Sequence, residues 1–148
     1  MKIGIGNDHR GYKLKVELVD FLKNLGYEVV NFGSDSEEPV DYPVYAFKVG
    51  EAVAKGEVDR GILICRTGIG MSIACNKVKG VRCAKVDNVE EAALTRIDND
   101  SNVIAVSYVK DVTELKEMIK TFLEIKFSKE ERHHRRVELI NKYDARDN

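Results

Sequence analysis

GILICRTGIGMS, residues 61–72, is the stretch on which the fold turns. Ile62 to Ile64 is an unbroken apolar run, the pattern of a strand buried on both faces of a parallel sheet. The run ends on the thiol of Cys65. A short turn holding Gly68 and Gly70 follows, and Met71 to Lys77 reads as helical. Strand, glycine turn and helix are the unit from which α/β sheets are built, and ligands bind beyond the carboxyl ends of such strands.

Outward from this stretch the period keeps switching. Ile3 to Gly6 reads as a first strand. Leu14, Leu18, Phe21, Leu22 and Leu25 recur at helical spacing, and Gly26 stops that helix. Tyr27 to Phe32 is a second strand, followed by a polar loop through Pro43. Tyr45, Ala46, Val49, Ala52 and Val53 form a helical stripe ended by Gly56. Past the central unit come a strand at Val81 to Val86, a helix at Val89 to Arg96, a strand at Val103 to Val106, and a stripe of Leu115, Met118, Ile119, Phe122 and Leu123. Five strands alternating with helices predict an α/β fold, a five-stranded parallel sheet with helices on both faces, in one domain over 1–148.

Composition narrows the partners. The chain has 148 residues, 43% hydrophobic and 33% charged, with a formal net charge of -1. That balance carries no electrostatic footprint of nucleic-acid binding. The opening MKIGIG followed by Asp8, His9 and Arg10 is neither a signal peptide nor a membrane span, and no run reaches ~18 apolar residues. Cys65, Cys75 and Cys83 are odd in number and lack metal-ligand spacing. A reduced, cytoplasmic protein without metal is the simplest expectation.

Nucleotide folds fail at their motifs. A dinucleotide fingerprint needs G-x-G-x-x-G at the first turn. Here Gly4 and Gly6 lie within the strand, and His9 stands where the third glycine belongs. There is no G-x-x-x-x-G-K-[ST], and a phospho-receiver domain would carry Asp where this chain has Cys65. No cofactor is expected.

The strand ends do carry chemistry. An isolated cysteine is usually a small buried hydrophobe, and Cys75 and Cys83 are read that way. Cys65 differs by position: a thiol one turn before a helix meets the helix's positive end, which favours the thiolate. Gly68 and Gly70 serve a tight turn, and such a turn also exposes several N–H groups in one concavity, suited to a phosphate or a developing oxyanion. A base beside an oxyanion site suits proton abstraction next to a carbonyl. Asp8 and His9 follow the first strand and share the rim with Cys65. Near the C-terminus, Ser128-x-x-Glu131 reads as a capping box, opening a helix over 128–141. Arg132 and Arg136, four apart, share a face of that helix, and their forks match a phosphate. That helix cannot easily fold back over its own strand ends, so a clamp reaching a partner subunit, in a homodimer or a dimer of dimers with shared sites, is expected.

With these residues in view, the chain resembles the type B ribose-5-phosphate isomerase and galactose-6-phosphate isomerase family of sugar-phosphate isomerases. The resemblance rests on IGNDHRGYKLK, VDYP at 40–43, ILICRTGIGMSIACNKVKGVR, RIDNDSNV at 96–103 and RHHRRVELI, and spans nearly the whole chain. It implies a Rossmann-like three-layer sandwich, dimers or tetramers, a small sugar phosphate as substrate, and aldose–ketose interconversion through a cis-enediolate with no metal or nucleotide. By position it implies Cys65 as the base that moves a proton between C1 and C2. Thr67 and the backbone of Arg66, Gly68, Ile69 and Gly70 would hold the enediolate oxygens, and Asp8 would contact sugar hydroxyls. His9 would meet the phosphate, with Arg132 and Arg136 arriving from the neighbouring subunit and Tyr42 and Asn99 lining the site. Asp98 and His133 stand as further candidates.

Three departures fall at that site. The family's Cys-Gly-Thr-Gly turn has arginine at position 66. Its His-Asn-x-Ala-Asn motif reads Asp98-Asn99-Asp100-Ser101-Asn102, without the histidine credited with ring opening. Its arginine after the fifth strand is missing from Ser107-Tyr108-Val109-Lys110. Three readings follow: a pentose-phosphate isomerase opening the ring with Asp8 or Asp98; an isomerase of a tetrose 4-phosphate or hexose 6-phosphate; or a sugar-phosphate binder without catalysis. Retention of Cys65, Thr67, Asp8 and His9 favours an isomerase.

Overall fold

The computed structural model describes residues 1–147. Strands β1 (Lys2–Asn7), β2 (Glu28–Asn31), β3 (Arg60–Cys65), β4 (Cys83–Lys85) and β5 (Val103–Ser107) form one sheet in the order β2-β1-β3-β5-β4. Every pairing is parallel. The helices are α1 (Tyr12–Asn24), α2 (Tyr42–Ala54), α3 (Ile69–Cys75), α4 (Val89–Asn99), α5 (Val112–Glu124) and α6 (Glu131–Asp144), with a 3-10 turn at His9–Gly11.

Right-handed crossovers dictate which face each helix takes. The steps from β1 to β2 and from β4 to β5 run one way across the sheet, and α1 and α4 share a face. The steps from β2 to β3 and from β3 to β4 run the other way, and α2 and α3 lie opposite. The core divides accordingly. Leu18, Leu22, Ala92, Leu115, Met118 and Phe122 pack on Ile62, Ile64 and Ile104. Ala46, Val49, Met71 and Cys75 pack on Leu63, Cys65 and Ala105. Alternate residues of β3 thus enter the two cores, as its continuous apolar run predicts. Gly61 lets α2 close on β3: a Cβ there would lie 2.7 Å from Val49 Cγ1.

Several boundaries differ from the sequence reading. Pro43 lies inside the first turn of α2 rather than in the loop, where its missing N–H costs no helical bond. α4 runs to Asn99, three residues beyond Arg96, and ends on Asp100 in the left-handed region (φ 47). Arg96 fixes that residue, its Nη1 reaching Asp100 Oδ1 at 2.8 Å. The capping box at Ser128 does not form. Ser128 N–H donates to Ile97 O, and its hydroxyl accepts the Glu130 N–H at 2.9 Å, so the chain is still tied to α4 there. The helix therefore begins at Glu131 and extends to Asp144, in place of 128–141. Among the described residues no helix is long and apolar enough to cross a membrane.

A buried cation ties β2 to the loop after it. Lys15 is only 1% exposed, and its ammonium donates to Asn31 Oδ1 (3.0 Å), Ser34 O (2.6 Å) and Asp35 Oδ1 (2.7 Å). The hydrogen bond from Lys15 holds the Asp35 carboxyl below the usual carboxylate range, with Asn31 adding to it. A lowered folded-state value means the contribution is present above about pH 4 and is lost as pH falls through it. Lys15→Met strands the buried Ser34 carbonyl and should lower the unfolding free energy by about 1–3 kcal/mol. Lys142→Met, which removes an exposed i,i+4 pair with Glu138, should change it by less than about 0.5 kcal/mol. Urea titration of both variants reads the difference, and equal effects would show that the Lys15 network is not a stabilising tie.

Candidate active site

The chain reverses direction across the sheet between β1 and β3, so a crevice opens beyond their carboxyl ends. Asp8 enters it from β1. Its N–H donates to Ile64 O at 2.9 Å, and its Oδ1 accepts the Gly11 N–H at 2.9 Å. Oδ2 has no partner among the described residues. His9 Nδ1 accepts the Val40 N–H at 3.4 Å. A backbone amide can only donate, so the proton of the neutral ring sits on Nε2, a donor with no acceptor among the described residues. Val40 in turn lines a cleft of about 420 Å³ with Pro39, Asp41, Val44 and Tyr45.

The turn after β3 is built around sulfur. Cys65 is 6% exposed, and its Sγ accepts the Gly68 N–H at 3.1 Å. Gly68 has φ 81, and a Cβ there would stand 3.0 Å from Ala105 O, so both conformation and space require glycine. Thr67 Oγ1 accepts the Ile69 N–H at 3.1 Å. Two of the amides expected to face substrate, those of Gly68 and Ile69, are therefore already engaged. The amides of Arg66, Thr67, Gly70 and Met71 have no acceptor among the described residues. Tyr42, at the start of α2, closes over the turn: a Cβ on Gly70 would meet its Cζ at 2.7 Å. Arg66 is exposed, and its side chain is in no ion pair among the described residues. Its carbonyl accepts the Ser107 hydroxyl. The unengaged amides beside the sulfur are donors placed to meet an oxyanion.

The remaining candidates lie at the opposite edge. Asn99 ends α4 just before β5 begins, and Asp98 Oδ1 meets His133 Nε2 of α6 at 3.5 Å. His133 is buried, and its Nδ1 has no partner among the described residues. α6 is held to the same edge by Arg82 to Asn141 (2.9 Å) and by the Gly80 N–H to Asp144 Oδ2 (2.6 Å). Arg132 pairs with Glu130, and Arg136 is exposed without an ion pair among the described residues. Crossing the sheet along β3 takes five residue steps, about 16 Å at ~3.3 Å each. One copy therefore brings together Asp8, His9, Tyr42, Cys65 and Thr67, and separately Asp98, Asn99, Arg132, His133 and Arg136.

Cys75 and Cys83 stay structural. A hydrogen bond from Cys75, together with burial, pushes the Cys83 thiol well above the usual thiol range. Among the described residues no group of three or more His, Cys, Asp or Glu side chains could hold a metal ion. Sequence reasoning missed the Ser107 hydroxyl and the partnership of Asp98 with His133. Neither spacing nor composition signals them, because each bond joins residues 35 or more positions apart.

The Ribose/Galactose Isomerase family model matches residues 3–140. Ribose-5-phosphate isomerase B of Escherichia coli is 44% identical over 148 residues, covering 99% of each chain. The Clostridium thermocellum ribose-5-phosphate isomerase B structure superposes with a TM-score of 0.94 at 48% identity, covering 97% of each chain. The Mycoplasma genitalium enzyme, solved with bound ribulose-5-phosphate, gives 0.93 at 37% identity, covering 99% of this chain and 97% of that one.

Gly68→Ala tests the turn itself. A left-handed residue with a Cβ against Ala105 O should cost about 1–3 kcal/mol of stability. An unchanged urea midpoint would show that the turn has another low-energy conformation.

Proposed function

The chain belongs to the ribose/galactose isomerase family, and from that premise we propose that it interconverts the aldose and ketose forms of a phosphorylated sugar, ribose 5-phosphate and ribulose 5-phosphate, through a cis-enediolate. The observation that carries this reading is the Cys65 thiol set beside the unengaged amides of Arg66, Thr67, Gly70 and Met71. The Cys65 thiolate takes the C2 proton of the open-chain aldose, and the electron pair moves to the carbonyl oxygen. The amides and the Thr67 hydroxyl hold the two enediolate oxygens. The proton returns from sulfur to C1 once a proton has passed between the oxygens, and no oxidant or metal enters the balance.

Binding uses groups remote from C1 and C2. His9 Nε2–H donates to the phosphate, and Arg132 and Arg136 of a second copy grip it from the other side. Asp8 Oδ2 accepts from the sugar hydroxyls, and Tyr42 with the second copy's Asn99 lines the pocket. What supports a second copy is the division of these groups between opposite edges of one chain. Phosphate binding then orients the reacting carbons, where alignment lowers the barrier. The reading goes with a homodimer in the reducing cytoplasm, where Cys65 stays a thiol.

The test is solvent-deuterium incorporation at C2, followed by NMR with ribose 5-phosphate and erythrose 4-phosphate in parallel. The wild type should exchange with the pentose, and Cys65→Ala should slow exchange at least about a hundredfold. Unchanged exchange in that variant would remove Cys65 from the mechanism, and exchange with the tetrose alone would change the substrate. Arg132→Ala should raise KM about 10- to 100-fold, the worth of a charged hydrogen bond. A fall in kcat alone would exclude the clamp.

A further inference from the structure

Three consecutive carbonyls follow β3 out of the sheet. Ile64 O faces β1, where it accepts the Asp8 N–H at 2.9 Å. Cys65 O faces β5, where it accepts the Tyr108 N–H at 3.0 Å. Successive carbonyls of a strand point to alternate sides, so a continuing strand would turn Arg66 O back toward β1. Instead it faces β5 again, captured by the hydroxyl of Ser107. That hydroxyl is itself fixed, because it accepts the Val109 N–H at 3.2 Å. It has one proton to give, and Arg66 O receives it.

In a trans peptide the C=O and N–H point in opposite directions. With Arg66 O held by the Ser107 hydroxyl, the Thr67 N–H points away from Ser107. That amide has no acceptor among the described residues. Arg66 needs no special conformation for this: Asp100 alone among the described non-glycine residues has a positive φ. The hydroxyl at 107, rather than a glycine at 66, sets this peptide plane.

We propose that Ser107 is a positioning residue, which aims the Thr67 amide at the enediolate oxygen by holding the Arg66 carbonyl. The proposal rests on the isomerase reading. It accounts for arginine at a turn position where the resemblance implies glycine, since the main chain at 66 is set from the neighbouring strand.

The experiment compares the wild type with Ser107→Ala, Ser107→Cys and Ser107→Thr in steady-state kinetics on ribose 5-phosphate, with thermal melting as a check on folding. Cysteine is nearly isosteric and donates weakly, so it keeps the packing and loses the bond. Alanine and cysteine should each lower kcat at least about tenfold with KM within about twofold, and threonine should restore kcat to within about threefold of the wild type. The proposal is overturned if Ser107→Cys keeps kcat within about twofold, if only KM rises, or if threonine is as impaired as cysteine. A wild type inactive on every sugar phosphate tested overturns the isomerase reading and this inference with it. An active wild type with an unaffected Ser107→Cys overturns this inference alone.

Discussion

β3 has a neighbour on each side and a helical layer on each face, and that enclosure fixes where chemistry can occur. Ile62, Leu63 and Ile64 have no solvent exposure, and both hydrogen-bonding edges of the strand are taken by β1 and β5. The main chain is free to change course only after Cys65. There the flanking strands still reach it: Asp8 binds the Ile64 carbonyl, and Tyr108 and Ser107 bind those of Cys65 and Arg66. The thiol thus sits on a rigid support, and the amides that follow are held by groups outside the turn. Such preorganisation is what stabilises charge that develops only in a transition state.

The second consequence is a division of labour between the two ends of the sheet. The carboxyl edge holds a sulfur, a carboxylate, an imidazole and unengaged amides. The amino edge holds α6 with Arg132 and Arg136 beside Asp98 and His133. The links from Arg82 to Asn141 and from Gly80 to Asp144 keep α6 at that edge. A phosphate needs concentrated positive charge, and the carboxyl edge carries the exposed Arg10 and Arg66 beside Asp8, His9 and Cys65. On the proposed two-copy reading, Arg132 and Arg136 of the second copy add to that charge without bending this chain.

Much of this was legible in the sequence. The apolar run at Ile62–Ile64, the stripes through Leu18 and Leu22 and through Met118 and Phe122, and the stops at Gly26 and Gly56 report local periods that tertiary structure preserves. Cys65 and the glycine turn were visible because strand ends follow from the same pattern. What escaped depends on partners distant in sequence. Lys15 looks like any surface lysine until Asn31, Ser34 and Asp35 surround it. Ser128 has the spacing of a capping box, yet its bond to Ile97 delays the helix. Strand order, with β5 inserted between β3 and β4, is a property of packing and leaves no local mark. Ser107 stands where the resemblance directs attention to a missing arginine, so its hydroxyl drew none.

If one functional site takes its thiol from one copy and its arginines from another, two variants damaged at different groups should complement each other in a mixed pair. Two impaired variants, Cys65→Ala and Arg136→Ala, are unfolded and refolded together and assayed with substrate far below KM, where loss of a phosphate contact lowers the rate. Random pairing makes half of the molecules mixed, and one of the two sites in each mixed pair carries both intact groups. A two-fold symmetric pair should therefore recover about a quarter of wild-type activity. Mixed pairs shown to form by mass, yet no more active than the separate variants, would contradict the shared site.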